Sequence, residues 1–192
     1  MNTTSIMIVG VGGQGTLLAS KVLGQALVSM DYDVKVSEVH GMSQRGGSVV
    51  TYVRYGSQVY SPIVDLGQAD YMLAFEPLEA ARYLPCLKSS GLLIANTYEI
   101  NPMSVITGAM NYPQDLVGKL AARCNLLALD ALSLALEAGN AKAVNMVLVG
   151  VLAARMDVPE PVWQAALEKQ SPAKFLETNR RAFALGKAYK EA

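Results

Sequence analysis

Two glycine-rich turns, separated by one predicted strand, constrain the fold of this chain more than any other feature. The first spans residues 10–15 (GVGGQG) and the second spans residues 40–48 (HGMSQRGGS). If each turn ends a strand of one parallel sheet, both open at the carboxyl edge of that sheet, where open α/β folds bind their ligands. The sequence therefore predicts two chemically different loops that face one crevice.

The first turn lies between a predicted strand and a predicted helix. Residues 5–9 form a short apolar, β-branched run, and residues 14–30 carry apolar side chains at helical spacing. Glycine lets the backbone approach a ligand closely, and free N–H groups at the start of a helix attract anions. We therefore expect an anion at the N–H groups of Gly12, Gly13, Gln14, Gly15 and Thr16.

Two other interpretations of the first turn are open. Gly10, Gly12 and Gly15 match the dinucleotide pattern G-x-G-x-x-G, and Glu38 follows at about the 20-residue spacing of the ribose-binding acid in that pattern. On this interpretation the chain is a stand-alone, Rossmann-like protein that binds NAD or another nucleotide. Alternatively, the glycines only allow the helix to pack closely on the strand.

The second turn carries directed hydrogen-bond donors between its glycines. Ser43, Gln44 and Arg45 offer a hydroxyl, an amide and a permanently charged guanidinium, while Gly46 and Gly47 leave the backbone open. Such a loop can bind a phosphate, a carboxylate or the backbone of another protein. The alternative is a solvated flexible turn, although loops so rich in both glycine and donors are more often functional.

Polar residues follow the predicted strands of the sheet. Further apolar runs predict strands at residues 70–75, 91–95 and 125–129. If all strands are parallel, their carboxyl ends bring together Glu38, His40, Glu76, Asn96 and Asp130 beside the two glycine turns. Each acid can instead cap a helix or interact with its dipole, and a lone histidine is often structural although its imidazole suits proton transfer.

The composition fits one α/β domain over residues 1–192. The 52% hydrophobic content supports a well-buried core, and 16 Lys plus Arg balance 16 Asp plus Glu, so we expect no nucleic-acid partner. The apolar stretch at residues 143–154 is shorter than the roughly 20 residues that a bilayer requires. No signal-peptide pattern opens the chain, and we expect a cytoplasmic protein without a membrane partner.

Ligands for metals are scarce in this sequence. Cys86 and Cys124 are the only cysteines, they form no C-x-x-C pair, and His40 is the only histidine. A cluster or zinc site needs several such residues at close spacing, so we expect this chain to bind no iron–sulfur cluster and no metal.

These observations together predict a three-layer, Rossmann-like α/β fold with a mostly parallel sheet. We expect an antiparallel hairpin at residues 49–60 and a helical C-terminal cap over residues 144–188. Residues 101–114 contain Pro102, Gly108, Asn111 and Pro113, which interrupt the alternation of strands and helices, and they predict a loop or lid over the edge of the sheet.

The sequence resembles the gamma-type subunits of the 2-oxoacid:ferredoxin oxidoreductases over nearly its full length. The resemblance rests on four segments: residues 12–15 (GGQG) with the helix that follows, 43–48 (SQRGGS), 75–80 (FEPLEA) and 145–150 (NMVLVG). The second glycine loop, residues 41–47, most resembles the indolepyruvate type.

The resemblance implies a small, non-autonomous subunit of an enzyme that oxidatively decarboxylates a 2-oxoacid to its acyl-coenzyme A. Thiamine diphosphate, magnesium and iron–sulfur clusters are expected on a larger partner subunit, and electrons pass to ferredoxin through the complex. Residues 43–47 would approach the active site of the partner and help to hold the 2-oxoacid, coenzyme A or the partner chain. A purely structural assembly subunit, whose loops touch no ligand, remains an alternative.

Overall fold

The computed structural model describes residues 3–40 and 47–190, which form a six-stranded sheet with helices on both faces. The strands are β1 (Thr4–Val11), β2 (Asp33–His40), β3 (Ser48–Gly56), β4 (Ala69–Ala74), β5 (Leu87–Asn96) and β6 (Asn125–Leu129). Their order across the sheet is β2-β3-β1-β4-β5-β6. The predicted α/β fold with a mostly parallel sheet is confirmed.

The two strands that precede the glycine turns end at the same edge of the sheet. Strand β3 lies between β1 and β2 and is antiparallel to both, so β1 and β2 run in the same direction. Val11 at the end of β1 pairs with Ser48, and His40 at the end of β2 pairs with Val49. Strands β4, β5 and β6 are parallel to β1, and their carboxyl ends therefore lie at this edge too.

The antiparallel pairing differs from the hairpin predicted at residues 49–60. Strand β3 pairs with the strand before it, and residues 57–68 leave the sheet. The Arg54 guanidinium holds this segment by donating hydrogen bonds to the carbonyl oxygens of Ser61 and Ile63, at 3.1 and 2.9 Å. The hairpin prediction was wrong because β-branched composition indicates a strand but does not identify its partner.

Eight α-helices lie in the described part of the chain. They are α1 (Thr16–Val28), α2 (Pro77–Tyr83), α3 (Met103–Ile106), α4 (Leu116–Ala121), α5 (Ala131–Glu137), α6 (Val144–Ala153), α7 (Glu160–Gln170) and α8 (Leu176–Ala188). The segment predicted as a loop or lid, residues 101–114, contains the single turn of α3. Among the described helices, none combines the length and the hydropathy that crossing a bilayer requires.

Side chains on alternate positions of β1 point to two separate cores. Ile6 and Ile8 pack with residues of α1 and of α5 to α8, whereas Met7 and Val9 pack with residues of α2 and α4. This alternation is the period of two that any strand imposes on its side chains. The C-terminal helices α6, α7 and α8 therefore cover one face of the sheet, as the predicted cap requires.

Two glycines allow α6 and α8 to touch backbone to backbone. A Cβ atom added to Gly150 on α6 would lie 2.1 Å from the carbonyl oxygen of Phe183. A Cβ atom added to Gly186 on α8 would lie 2.0 Å from the carbonyl oxygen of Val147. Neither contact can relax by a side-chain rotation, because the opposing atoms belong to the main chain. The buried helix α6 can therefore lie this close to α8 only because positions 150 and 186 are glycines without a Cβ atom.

We predict that Gly150→Ala lowers the free energy of unfolding by about 3 kcal/mol, the upper range of overpacking, because α6 and α8 must separate. Chemical denaturation measures this change. Gly24→Ala in α1 is the matched control, since its Cβ would make an ordinary 3.6 Å contact with Val36. Alanine favours helix over glycine, so the control is expected to be neutral or stabilising. Equal stability of Gly150→Ala and the wild-type protein would contradict the backbone contact.

Candidate functional site

A cavity of about 390 Å³ opens at the carboxyl edge of the sheet. This volume lies within the range of small-molecule pockets, roughly 300–1,000 Å³. The first glycine turn forms one wall, the chain beyond β5 forms another, and the residues around the starts of α6 and α8 complete it. Its lining includes Gly13, Gly15, Asn96, Tyr98, Lys142 and Phe175.

The side chain of Gln14 occupies the first glycine turn. Its Oε1 accepts a hydrogen bond from the backbone N–H of Val11 at 2.8 Å, and its Nε2 donates to the carbonyl oxygen of Phe75 at 3.1 Å. A Cβ atom on Gly10 would lie 2.6 Å from Gln14 Oε1, so the glycine at this position leaves room for the amide. The turn is therefore fastened to the end of β4 by its own glutamine.

Two of the N–H groups at the predicted anion site on this turn have partners within the protein. The N–H of Gly12 donates to the carbonyl oxygen of Gly47 at 2.8 Å, and the N–H of Gln14 donates to that of Val11 at 3.3 Å. Both groups are therefore engaged within the protein, which does not favour an anion on either of them, and the prediction for Gly13, Gly15 and Thr16 stays a prediction. Gly13 and Gly15 remain at the wall of the cavity.

A buried amide continues the connection across the edge of the sheet. Asn96 ends β5 and is 1% exposed. Its Nδ2 donates to the Phe75 carbonyl oxygen at 3.3 Å, and its Oδ1 accepts from the N–H of Ala131 at 3.1 Å. One carbonyl thus receives two side-chain amides, from Gln14 and from Asn96. The chain of hydrogen bonds runs from the end of β1 to the start of α5.

Helix α6 contacts the glycine turn through Asn145. Its Nδ2 donates to the carbonyl oxygen of Gly15 at 3.2 Å, and its Oδ1 accepts from the N–H of Met146 at 2.9 Å. Gly15 has a φ of +84°, and a Cβ there would lie 2.6 Å from Asn145 Nδ2. Glycine is needed at position 15 for both reasons.

The second glycine loop, including Ser43, Gln44, Arg45 and Gly46, lies outside the described residues, whereas Gly47 and Ser48 at its C-terminal root are described. Gly47 accepts the hydrogen bond from Gly12 that joins the two glycine segments. Ser48 Oγ donates to Glu79 Oε2 at 2.5 Å, and Arg82 Nε donates to Glu79 Oε1 at 3.2 Å. The Glu79 carboxylate is 4% exposed. A buried acid on α2 therefore anchors the point where the loop enters β3.

Comparisons with known proteins identify the family of this chain. The family model for pyruvate ferredoxin/flavodoxin oxidoreductase matches residues 5–189. The chain belongs to that family, as a gamma-type subunit. It is 43% identical over 204 residues to the indolepyruvate oxidoreductase subunit IorB of Thermococcus kodakarensis, with 100% of this chain and 98% of that protein covered.

Solved structures of this family share the fold. The gamma subunit of a keto/oxoacid ferredoxin oxidoreductase from Geobacter sulfurreducens superposes with a TM-score of 0.71 at 23% identity, covering 95% of each chain. The 2-oxoglutarate:ferredoxin oxidoreductase of Magnetococcus marinus, solved with 2-oxoglutarate, coenzyme A and succinyl-CoA bound, gives a TM-score of 0.73 at 19% identity. The match covers all of this chain but only 32% of the Magnetococcus chain.

Three of the predicted edge residues of this gamma-type subunit lie where the strands end. Asp130 caps α5 by accepting from Ser133 N at 3.0 Å and from its hydroxyl at 2.6 Å, and these bonds hold the pKa of Asp130 below its usual value. Glu76 caps α2 by accepting from Glu79 N at 3.0 Å. The capping alternative is thus observed for both acids. Asn96 is part of the amide chain described above.

The two edge residues predicted on β2 lie further from the first turn. His40 ends β2 at the same edge of the sheet, where its backbone pairs with Val49. Glu38 pairs with Thr51 and accepts a hydrogen bond from the Thr51 hydroxyl at 2.9 Å. Because β3 separates β2 from β1, Glu38 lies about 10 Å, two strand spacings, from the strand that carries the first turn. This order does not favour the dinucleotide interpretation, in which the acid lies beside the turn.

Sequence reasoning missed several residues around the site. Glu79, Lys142 and Phe175 were not predicted there, although Phe175 is exposed enough to line the cavity and carries the Lys174 ammonium 4.8 Å above its ring. The motifs at residues 75–80 and 145–150 were the available signals, since the first contains Glu79 and the second contributes Asn145 to the turn and Gly150 to the helix crossing. Both cysteines are half-buried, and burial raises the pKa of each thiol. Within residues 3–40 and 47–190, no cluster of His, Cys, Asp and Glu is arranged to hold a metal ion.

We predict that Gln14→Glu destabilises the chain by about 2 kcal/mol at pH 8, because the Phe75 carbonyl would then face a carboxylate oxygen instead of an N–H donor. The introduced carboxyl group must be protonated to donate, so its folded pKa is raised above the unfolded value of about 4.3. Stability is then retained at low pH and lost as pH rises through the folded pKa. Urea denaturation at pH 5 and pH 8 measures the difference.

Gln68→Glu, at an exposed glutamine at the other edge of the sheet, is the control and is expected to match the wild-type protein at both pH values. A deficit for Gln14→Glu that does not depend on pH would contradict the hydrogen bond to Phe75.

Proposed function

We propose that this chain is the small, non-autonomous subunit of a 2-oxoacid:ferredoxin oxidoreductase that acts on indolepyruvate. One observation carries this proposal, the 43% identity to the subunit IorB of T. kodakarensis along the full chain. The reaction converts the 2-oxoacid, coenzyme A and two oxidised ferredoxins into acyl-coenzyme A, carbon dioxide, two reduced ferredoxins and a proton. We place the complex in the cytoplasm and treat the 192 residues as a single domain.

The chemistry of this reaction requires groups on a larger partner subunit. Thiamine diphosphate with magnesium stabilises the carbanion left by decarboxylation, and iron–sulfur clusters carry single electrons to ferredoxin. The sequence holds two cysteines and one histidine, fewer than the four ligands that an iron–sulfur cluster takes, which supports the proposal that the clusters belong to the partner. This chain then contributes binding surfaces rather than electron carriers.

We propose that the cavity and the second glycine loop form one binding region for coenzyme A or the 2-oxoacid. Gly13, Gln14 and Gly15 line the cavity beside Lys142, whose ammonium suits a phosphate or carboxylate. The hydrogen bond from Gly12 to Gly47 brings the root of the second loop to the same turn. Ser43, Gln44, Arg45, Gly46 and Gly47 would then extend from that root towards the partner's active site.

A structural assembly role is the second candidate, and one observation favours it. The Gln14 amide and the Gly12 N–H are engaged within the protein, so the first turn is stabilised without a ligand. Backbone groups on the second loop can bind a peptide carbonyl as well as an anion. The two candidates differ in what Arg45 contacts in the complex.

We predict that the isolated chain catalyses no 2-oxoacid oxidation, whereas its complex with the larger subunit reduces a viologen dye with indolepyruvate and coenzyme A. The measurement is the initial rate of dye reduction by each purified subunit and by the mixture. Coenzyme A-dependent activity of the isolated chain would overturn the non-autonomous role. If the mixture fails to reduce the dye with every 2-oxoacid tested, the proposed reaction is overturned.

Substitution of Arg45 distinguishes a ligand role from an assembly role. A guanidinium that grips a carboxylate or phosphate loses its bidentate geometry in Arg45→Lys, so both Arg45→Lys and Arg45→Ala are expected to lower turnover. Loss of such a buried contact typically costs about 2–5 kcal/mol. Complex formation and turnover are measured together, with Arg155→Lys at the opposite edge of the sheet as the matched control.

Normal assembly with reduced turnover supports a ligand role for Arg45. Weakened assembly in both variants supports the structural candidate. If neither quantity changes, the assignment of the second loop is wrong.

A further inference from the structure

Residues 97–114, which we name the strap, link β5 to α4 and expose three large apolar side chains. Met103, Ile106 and Met110 are 68%, 65% and 64% exposed. Met103 and Ile106 lie one helical turn apart on α3, and the N–H of Met110 donates to the carbonyl oxygen of Ser104 at 2.9 Å. This bond ties the third side chain to the short helix that carries the other two.

A single buried carboxylate holds both ends of the strap. Glu76 is 1% exposed, and its Oε1 accepts a hydrogen bond from Ile100 N at 3.3 Å and another from the Tyr112 hydroxyl. Its Oε2 accepts from Glu79 N at the start of α2. Burial and the Glu76 carboxylate raise the pKa of Tyr112, so the phenol keeps the proton that it donates.

The anchoring of the strap explains how its apolar side chains stay in water. A free segment of this composition would reduce its exposed apolar area by folding back onto the protein, since each buried apolar group is favourable. The hydrogen bonds to Glu76 fix positions 100 and 112 instead, and the residues between them stand away from the two cores. The fold therefore stabilises an apolar surface that it does not itself cover.

The strap lies beside the candidate site. Tyr98 and Ile100, at its start, line the cavity together with Gly13 and Gln14 of the first turn. Tyr98 is itself 51% exposed and extends the apolar surface towards the cavity. A protein that binds the strap would consequently reach the mouth of the cavity.

The larger subunit is the occupant that fits this surface. In the Magnetococcus enzyme the matching region is 32% of one longer chain, so polypeptide outside the matched region belongs to the same molecule. In the enzyme proposed here, the remaining parts come from a separate chain that must approach the cavity at the carboxyl edge. Methionine is enriched at the cores of protein interfaces, where its flexible thioether adapts to a partner.

We infer that Met103, Ile106 and Met110 form the surface on which the larger subunit docks, and that Glu76 is the residue that holds this surface in position. The inference rests on the proposed function, because it takes the cavity edge as the place where the two subunits meet. The inference assigns to the strap a role that differs from that of the glycine loops. Under the proposed function the loops would contact ligand or partner within the site, whereas the strap would bind the partner beside the site.

The test compares two double variants in binding to the purified larger subunit by isothermal titration calorimetry. Met103→Gln with Ile106→Gln replaces two exposed apolar side chains by polar ones of similar length and is expected to weaken binding at least tenfold. The matched control is Tyr60→Gln with Leu66→Gln, at residues that are 87% and 74% exposed on the segment at the opposite edge of the sheet. The control is expected to bind as the wild-type chain does.

Tyr112→Phe tests the anchoring separately. It removes only the hydroxyl that donates to Glu76 and leaves all three docking side chains unchanged, so binding is expected to weaken about three- to tenfold. Circular dichroism and thermal denaturation establish that each variant is folded. Binding within twofold of the wild-type value for both the double variant and Tyr112→Phe would overturn the inference, as would equal weakening in the control.

Dye reduction by the same mixtures separates this inference from the proposed function. If the wild-type complex oxidises a 2-oxoacid and the strap variants bind normally, the docking surface is wrong and the proposed function stands. If the wild-type subunits bind each other through the strap but oxidise no 2-oxoacid, the proposed function is wrong and the docking surface stands. A wild-type chain that does not bind the larger subunit overturns both.

Discussion

The carbonyl oxygen of Phe75, which receives the side-chain amides of Gln14 and Asn96, joins the elements of the carboxyl edge. These two bonds connect the turn after β1, the end of β4 and the end of β5, and Asn96 continues to the start of α5. Amides that leave water are favourable when their polar atoms find partners, and the nitrogen and the oxygen of both side chains each have one here. The position of the cavity depends on this chain of bonds, since its walls are the segments that the amides fasten.

Two buried carboxylates at the start of α2 hold the loops at this edge by hydrogen bonds, as the amides hold the ends of the strands. Glu76 and Glu79 lie at the start of α2, three residues apart, and each is nearly inaccessible to solvent. Glu76 holds the strap, and Glu79 holds the root of the second glycine loop through Ser48. Because hydrogen bonds to charged acceptors are stronger than neutral ones, a short helix can fix both the strap and the point at which the second loop enters β3.

The arrangement suits a subunit whose site is completed by another chain. Its rigid parts, the sheet and the helices α6 and α8, are packed closely enough for two glycines to place main chains in contact. The segments at the carboxyl edge are instead positioned by a few polar contacts to buried groups. Function in such a protein depends on which surfaces the fold presents at that edge, where the cavity, the root of the second loop at Gly47 and Ser48, and the strap lie together.

Much of the fold and part of the site could be predicted from the residues alone. The strand at residues 125–129 and the common edge of the two glycine turns followed from apolar periodicity and from where polar residues interrupt it. The family resemblance followed from local motifs such as GGQG and SQRGGS. These are short-range properties, which neighbouring residues determine through propensity and steric freedom.

The partners of each residue were decided only by the tertiary structure. The sequence indicated strand structure within residues 49–60, but nothing in it required the strand there to lie between β1 and β2, a position that separates Glu38 from the first turn. It marked Gln14 as a member of a glycine turn, yet the amide binds a carbonyl 61 residues away. The sequence by itself determined which segments become strands, helices and turns. Only the tertiary structure decided which polar groups are satisfied internally and which are left for a ligand or partner, because that choice depends on burial and on contacts between distant residues.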